Sequence, residues 1–329
     1  MNKTNFLNAL KLVKPGTINK TSRDLSYFYF SGKEVISYND KICIRYPLET
    51  PFSTFMKADD LLKVLLKSNS DEVRFRVTDK IEVKVGGTHG KFSLINEPEL
   101  LSLIDNVTEQ INGLTYISIP NSFKECVSVC VPFASKDESS GTLTCVRVNG
   151  KDVFSCDNYR VSHATMDSEI KPMFLKASEV HNIIAIDPIY YAGSKSWIHF
   201  INKDKCIISI RKVSGEFPDI LPLFNFEGTE VEVSKEVING IDVSSIFTSK
   251  DESCIEIDIK DGKFITSITS EKGTMSHSSN INYKGNELNF KVQQSFLQEM
   301  LNYNSVITIG STKIKLKKDN FQLAVCLYS

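Results

Sequence analysis

The residue types that most often perform catalysis are scattered through this sequence of 329 residues. The five histidines form neither an HExxH motif nor the spacing of paired metal ligands. His181 and His199 fall in a predicted helix and a predicted strand, where a structural histidine is the more common case. Asp157 and Arg160 could act as an acid–base pair, but no nucleophile lies close to them in sequence. The sequence therefore predicts a protein that is not an enzyme and that needs no metal or cofactor.

The eight cysteines show no CxxC pair and no zinc-ligand spacing with histidine. Cys126 and Cys130 lie four residues apart on an apolar helical stripe, which predicts buried thiols that pack as small apolar side chains. The first twelve residues lack an apolar signal core, and no run approaches the roughly 20 apolar residues of a membrane span. We therefore expect a cytoplasmic protein in a reducing environment, without a membrane partner.

The charge balance limits how this chain could bind nucleic acid. The 39 Lys and Arg residues are offset by 40 Asp and Glu residues, so the net charge is -1. A protein that holds nucleic acid by bulk positive charge is therefore excluded, and any DNA contact must come from a local basic surface. An apolar content of 41% and a charged content of 24% are typical of folded globular chains.

An internal repeat organises the elements that would position functional residues. A first amphipathic helix is predicted at residues 5–14, again from residue 121, and a third time after Ser234 as N-cap, where Gly240 weakens the pattern. A second helix is predicted at 56–66, 174–184 and 290–301. Met56, Phe174 and Phe290 are 118 and 116 residues apart, and the first helices repeat at 116 and 114.

Alternating apolar and polar residues after each second helix predict antiparallel hairpins, such as the one at residues 73–85. Gly86-Gly87 lacks the strand–loop–helix setting and the Lys-Ser/Thr pair of a phosphate-binding loop, so a hairpin turn is predicted there. The chain is therefore predicted to be α+β, with three repeated units of about 115 residues.

Three segments resemble those of the bacterial sliding clamp, the beta subunit of the replicative DNA polymerase. Residues 213–219 read VSGEFPD and are similar to the family's GxFPD segment; residues 155–161 read SCDNYRV and are similar to its TDGHRL segment. The chain also ends in an apolar tail at 324–328, where the family has its partner-binding strand. Asn158 stands where the family usually has Gly, and because Asn tolerates left-handed backbone angles we expect the turn to be retained. The tail lacks the family's Met-Pro-Met end, which indicates a divergent member, such as a phage protein.

The resemblance implies clamp domains at 1–115, 116–228 and 229–329. Two chains, head to tail, would form a ring whose helices line a pore and whose antiparallel sheets lie outside. Such a ring would encircle double-stranded DNA and tether a DNA polymerase, and a clamp loader would be a second protein partner. A β-rich structural or adaptor protein, such as a virion component, remains the alternative, because its repeats would bury similar strands.

The resemblance and the predicted helices imply two sets of site residues. Cations that face DNA phosphates are expected on or beside the pore helices: Lys20, Arg23, Lys67, Lys11, Lys14, Lys63, Lys124, Lys136 and Lys195. A groove for a short partner peptide is expected to use Cys156, Asn158, Tyr159, Arg160, Val161, Pro222, Val325, Cys326, Leu327 and Tyr328.

Overall fold

The structure is a computed structural model that describes residues 1–17, 24–249 and 253–328. Helices alternate with antiparallel sheets, which confirms the predicted α+β architecture. None of the described helices is both long enough and apolar enough to cross a membrane.

Helices recur in the order that the repeat predicts. Those in the described part of the chain are α1 Lys3–Val13, α2 Ala58–Leu66, α3 Pro98–Ile111, α4 Phe123–Cys130, α5 Ala177–Ala185, α6 Lys235–Ser244 and α7 Gln294–Leu301. Ser234 caps α6 by accepting a hydrogen bond from the Val237 N–H, as predicted. Cys126 and Cys130 are buried free thiols on α4, which confirms their predicted role in packing.

Strands form four sheets. In chain order they are β1 Tyr27–Phe30, β2 Glu34–Tyr38, β3 Ile42–Pro47, β4 Thr54–Lys57, β5 Val73–Val77, β6 Lys80–Val85, β7 Thr88–Ser93, β8 Ile117–Ser118, β9 Cys145–Cys156, β10 Arg160–Lys176, β11 Tyr190–Gly193, β12 Trp197–Ile201, β13 Ile207–Arg211, β14 Thr229–Glu232, β15 Cys254–Lys260, β16 Lys263–Ser270, β17 Gly273–Asn280, β18 Leu288–Gln293, β19 Val306–Ile309, β20 Lys313–Lys318 and β21 Phe321–Cys326. Gly86 and Gly87 form the turn between β6 and β7, as predicted.

The predicted starts of the second helices are wrong by two to four residues. Met56, Phe174 and Phe290 lie in β4, β10 and β18, and α2, α5 and α7 begin at Ala58, Ala177 and Gln294. Each strand runs directly into its helix, so its apolar side chains extend the helical pattern and hide the boundary. The spacing of these landmarks is nevertheless real, because all three occupy the strand that precedes the second helix.

The chain divides into two compact units, which cut across the predicted middle domain. The first unit comprises Met1–Ile119 and Ser178–Val213, and the second comprises Pro120–Ala177 and Ser214–Ser329. Each unit thus contains part of residues 116–228, and the three-domain division stays a prediction.

The first unit contains an eight-stranded sheet, in the order β4-β1-β2-β3-β13-β12-β11-β8, and a three-stranded sheet, β5-β6-β7. At the centre of the larger sheet β3 pairs with β13, with Ile44 opposite Ile208. Helix α3 packs Leu100, Ile104 and Val107 into a cluster with Trp197 of this sheet. The repeat did not predict α3, because it considered two helices in each unit.

The second unit contains a six-stranded sheet, in the order β14-β19-β20-β21-β10-β9, and a four-stranded sheet, β17-β16-β15-β18. In the larger sheet β10 pairs with β21, which places Arg160 opposite Val325 and Val161 opposite Ala324. This register brings the motif at 155–161 beside the C-terminal tail.

Candidate functional site

The turn between β9 and β10 is held by one carboxylate. Asp157 accepts hydrogen bonds from the backbone N–H groups of Tyr159, at 2.8 Å, and Arg160, at 2.7 Å. The Asp157 N–H in turn donates to the Arg160 carbonyl oxygen at 3.0 Å. The turn is therefore retained, but not through a left-handed residue, since Asn158 is not among the residues with positive φ. The side chain of Asp157 supplies the geometry that glycine was expected to require.

Arg160 ties this turn to α7. Its Nε and Nη2 donate to Asp157 Oδ2 at 3.0 and 2.7 Å, and its Nη1 donates to Glu299 Oε2 at 2.6 Å. The guanidinium also lies 4.2 Å from the ring centre of Phe296, one turn before Glu299 on the same helix. Burial raises the pKa of the Glu299 carboxyl, and the positive charges of Arg160 and Lys136 oppose that rise. The arrangement makes Arg160 a structural support beneath the site, because only 8% of it is exposed.

Aromatic side chains form the surface above Arg160. Tyr159 is 47% exposed and lies between Phe296, at 6.2 Å between ring centres, and Tyr328, at 6.1 Å. The tail holds Tyr328 in place, because its N–H donates to the Lys291 carbonyl oxygen at 2.9 Å. Cys326 and Leu327, both partly exposed, are fixed by backbone hydrogen bonds to Tyr159 and Thr312.

The predicted groove residues fall into two groups, those exposed at the surface and those buried beneath it. Cys156, Val161 and Val325 are 3%, 8% and 1% exposed, so they lie beneath the surface and cannot contact a peptide directly. Cys156 and Val161 pack with Ile220 and Phe224 in one apolar cluster, against which Phe217 of the VSGEFPD segment also packs.

An exposed apolar rim follows that segment. Pro222 is exposed, as a contact residue must be, and its neighbours Leu221 and Leu223 are 41% and 38% exposed. Sequence reasoning missed both leucines, although their position on either side of Pro222 was a usable signal. Because two large apolar side chains are exposed to solvent, the short helical turn that carries them is a candidate contact surface.

The predicted DNA-facing residues differ in whether the structure describes them and in their surroundings. Lys20 and Arg23 lie outside the described residues. Lys11 on α1, Lys63 on α2 and Lys67 directly after α2 are exposed in the first unit. There α1 and α2 run antiparallel, since Lys3 donates to the Ser68 carbonyl oxygen near one end and Lys14 pairs with Asp59 at the other.

The remaining cations have different surroundings. Lys14 Nζ lies 2.5 Å from Asp59 Oδ1, so its charge is largely neutralised within the helix pair. Lys195 is exposed in the turn between β11 and β12, and Lys124 is exposed on the first turn of α4. Lys136 lines a cavity of about 400 Å³ together with Tyr159, Arg160 and Glu299, which places it beside the groove. No cluster of three or more potential metal ligands occurs among the described residues.

The sequence matches no family model and no curated protein, but solved structures are similar to it over the whole chain. The DNA polymerase III beta chain of Streptococcus pneumoniae has a TM-score of 0.83 at 16% identity, with 100% of this chain and 98% of that chain covered. The beta subunit of Pseudomonas aeruginosa has a TM-score of 0.80 at 15% identity, with the same coverage. The sliding clamp of Bartonella birtlesii, bound to griselimycin, has a TM-score of 0.84 at 12% identity, again covering 100% and 98%.

The chain has the bacterial sliding-clamp fold. This confirms the resemblance seen in the sequence, and the low identity agrees with a divergent clamp.

In the clamp fold, certain strand pairs recur because they join successive repeats of the chain. The third strand after each second helix is β7, β13 or β21, and β13 and β21 pair with β3 and β10. The strand that corresponds to β3 and β10 in the third repeat is β17. Within the described ranges β7 pairs only with β6, and β17 pairs only with β16. Among the described residues, two of the three strand pairs that join successive repeats therefore form within one chain, and the third, β7 with β17, does not.

Proposed function

We propose that this chain is a DNA sliding clamp, a ring-shaped processivity factor that encircles duplex DNA and tethers a DNA polymerase in the cytoplasm. The observation that carries the proposal is the similarity to bacterial clamps over the full chain, at TM-scores of 0.80 to 0.84. Encirclement is a topological function, so it needs no reacting group. It needs a closed ring, a pore that attracts phosphates, and a surface for the polymerase.

The ring closes through β7 of one copy and β17 of another. Both strands have an open edge, and each corresponds to a strand that is joined elsewhere in the repeat. An exposed apolar side chain accompanies each edge: Leu94, directly after β7, is 50% exposed, and Ile246, in the turn that contacts β17, is 66% exposed. Head-to-tail pairing of two copies forms two such joints, which together cover the β7 edge and the β17 edge of each copy.

The pore contacts DNA through the cations on α1 and α2. Lys11, Lys63 and Lys67 are exposed and project from helices whose apolar faces are buried in the first unit. Lys20 and Arg23 belong to the same proposed set, as do Lys124 and Lys195 in the second repeat. Contacts limited to phosphates hold the duplex without reading its sequence, which is what sliding requires. Lys14 contributes less, because Asp59 already neutralises it.

The tether is a short peptide of the polymerase or of a clamp loader, bound over Tyr159. The exposed ring of Tyr159, the partly exposed rings of Phe296 and Tyr328, and the rim at Leu221 and Leu223 offer an apolar surface suited to a few large side chains. The aromatic tail replaces the Met-Pro-Met end of the family, so we propose that the preferred peptide differs from that of other bacterial clamps.

Negative-stain electron microscopy of the purified protein tests the ring directly. We expect ring-shaped particles of two chains, with an outline of six repeated units and a central hole. A dissociated ring would also give small particles, so the experiment is repeated over a range of protein concentrations. Compact particles that show no hole at the highest concentration would reject the clamp and favour the structural or adaptor protein.

A further inference from the structure

The three-stranded sheet β5-β6-β7 carries a second concentration of positive charge. Its residues alternate between a buried side, with Val73 and Val83 in the core, and a solvent side. Phe75 on the buried side contacts Phe6 of α1 at 5.3 Å, so the solvent side faces away from α1. Five exposed cations lie on that side, and we call them the basic sheet face: Arg74, Arg76, Lys80, Lys84 and Lys91.

The register of the strands places like charges next to each other. Arg74 on β5 lies directly opposite Lys84 on β6. Like charges directly opposite each other on neighbouring strands destabilise a sheet. In the next row Glu82 separates Arg76 from Lys91, which is the arrangement that a stable surface favours. The row through Lys84 therefore costs stability that an external anion would restore.

Carboxylates of the chain offset only part of this charge. Glu72 accepts two hydrogen bonds from Arg74, at 3.1 and 2.8 Å, and Glu82 lies 3.0 Å from Lys91 Nζ. Two carboxylates against five cations leave a net charge of +3 on this face (5 − 2), on a chain whose total is -1. Such a local excess on a balanced protein attracts a polyanion.

The surface shape favours nucleic acid over an acidic peptide. The side chains on this face that are not cations are His89, Ser93 and Glu82, so the face offers no apolar group that could anchor a peptide side chain. Strands spaced about 4.8 Å apart, with side chains repeating every 6.6 Å or so along each strand, present a flat grid of donors. A flat grid suits a chain of phosphates, whose contacts need positive charge and hydrogen-bond donors but no pocket.

We propose that the basic sheet face binds the phosphate backbone of nucleic acid, at a site separate from Lys11, Lys63 and Lys67. The eight-stranded sheet of the same unit differs from the three-stranded sheet, because α3 covers one of its faces with Leu100, Ile104 and Val107. The basic sheet face would hold a strand that runs along the outside of the protein, which goes beyond the encirclement of DNA.

The test measures binding of fluorescent DNA by the full-length protein in about 50 mM salt and upward. The probes are a covalently closed single-stranded circle, a linear single strand and a linear duplex of equal length. The test variant is Arg74→Gln/Arg76→Gln/Lys84→Gln, and the matched control removes three exposed lysines on other strands, Lys260→Gln/Lys263→Gln/Lys317→Gln. A third variant, Lys11→Gln/Lys63→Gln/Lys67→Gln, reports on the proposed pore.

We expect the test variant to bind the closed circle at least tenfold more weakly than the control, with a logarithmic salt slope shallower by about 2, because three phosphate contacts are lost. The pore variant retains this binding even if no ring forms, which keeps the outcome independent of the clamp proposal. Comparison of the two linear probes assigns the site to single strands or duplex.

Equal binding by the test variant and the control overturns the proposal. Tighter binding of a poly-glutamate peptide than of DNA at equal charge also overturns it, in favour of an acidic protein partner. Thermal unfolding supplies an independent readout, because the closed circle raises the Tm of the wild type and leaves that of the test variant unchanged.

Discussion

Arg160 joins the β9–β10 turn to α7 through a single guanidinium. It pairs with Asp157 in the β9–β10 turn and Glu299 on α7, and it covers the ring of Phe296. A buried pair of this kind adds little net stability, but removing one partner leaves the others charged and unpaired. The contribution of Arg160 is therefore best measured by its loss.

We expect Arg160→Ala to lower the free energy of unfolding by ~3 kcal/mol, because two carboxylates then lose their partner. The measurement is urea denaturation at neutral pH. The matched control is Arg74→Ala, whose side chain is 72% exposed and pairs with Glu72 at the surface. That change should leave the free energy of unfolding nearly unchanged, and equal effects of the two substitutions would contradict a structural role for Arg160.

His199 makes the stability of the first unit depend on pH. It is fully buried, and its ring nitrogens lie 2.8 Å from Ser209 Oγ and 2.9 Å from Ser194 Oγ. Burial, with the positive charges of Lys212 and Arg45, lowers its pKa from 6.5 to about 4. Between these two values the unfolded chain binds a proton that the folded chain does not. This contribution to stability is therefore complete above pH 6.5 and is lost as the pH falls toward 4.

We expect the wild type to lose about 2 kcal/mol more than His199→Gln between pH 7 and pH 5, since only the wild type carries this imidazole. Urea denaturation of both proteins at the two pH values measures the difference. Parallel pH profiles would show that His199 does not set this dependence.

Sequence spacing predicted some of these residues and could not predict others. Asp157 and Arg160 are three positions apart in a recognisable segment, so their pairing was accessible. Glu299 lies 139 residues after Arg160, and only the pairing of β10 with β21 and the position of α7 bring it close. Burial of Cys156 and Val161 likewise depends on which face of the hairpin meets the linker at 217–224.

At the scale of elements, the repeat predicted the paired helices of each unit but missed α3. The apolar residues of α3, Leu100, Ile104 and Val107, follow a helical spacing that the sequence displays openly. The helix lies outside the repeat, however, and a search for recurring pairs passes over an element that occurs once. Helix starts were also misplaced, since strand and helix meet without a break.

Gly240 illustrates how packing overrides helix propensity. Glycine inside α6 is unfavourable by itself, yet a Cβ at this position would overlap the ring of His277 on β17. The helix therefore approaches the sheet at Gly240 because the residue has no side chain.

We expect Gly240→Ala to destabilise the protein, although alanine normally gains about 1 kcal/mol over glycine in a helix. In a His277→Ala background the ring is gone, so the same substitution should be neutral or stabilising. Thermal unfolding of the four proteins of this double-mutant cycle measures the reversal. A stabilising effect in the wild-type background would disprove the close contact.

At the scale of the molecule, a chain predicted to have three similar units forms two compact bodies. Joining pairs such as β3 with β13 and β10 with β21 build continuous sheets from strands of successive repeats. A sequence repeat indicates that segments share an ancestor. The boundaries of the compact units depend instead on which strands pair into each sheet. Locating the unpaired strand edges at β7 and β17 requires the strand order of the sheets, which sequence spacing alone does not give.

We expect Ile246→Asp to convert the proposed ring into single chains of 37.0 kDa, because a charge would be buried beside β17 in the closed joint. Analytical ultracentrifugation at micromolar concentration measures the mass. The matched control is Leu66→Asp, at the end of α2, where the leucine is 58% exposed. Loss of the dimer in both variants, or in neither, would argue against the assigned joint.

The path of the chain between the two compact units has a consequence for its synthesis. The chain passes between them after residues 119, 177 and 213, so neither unit is built from one continuous stretch. On the ribosome β10 emerges well before its partner β21, because the paired residues Arg160 and Val325 are 165 positions apart (325 − 160). Until then the nascent chain carries an open strand edge, which is prone to pair with other chains. The second unit can complete its fold only after β21 has been translated, and until then the newborn chain depends most on protection from aggregation.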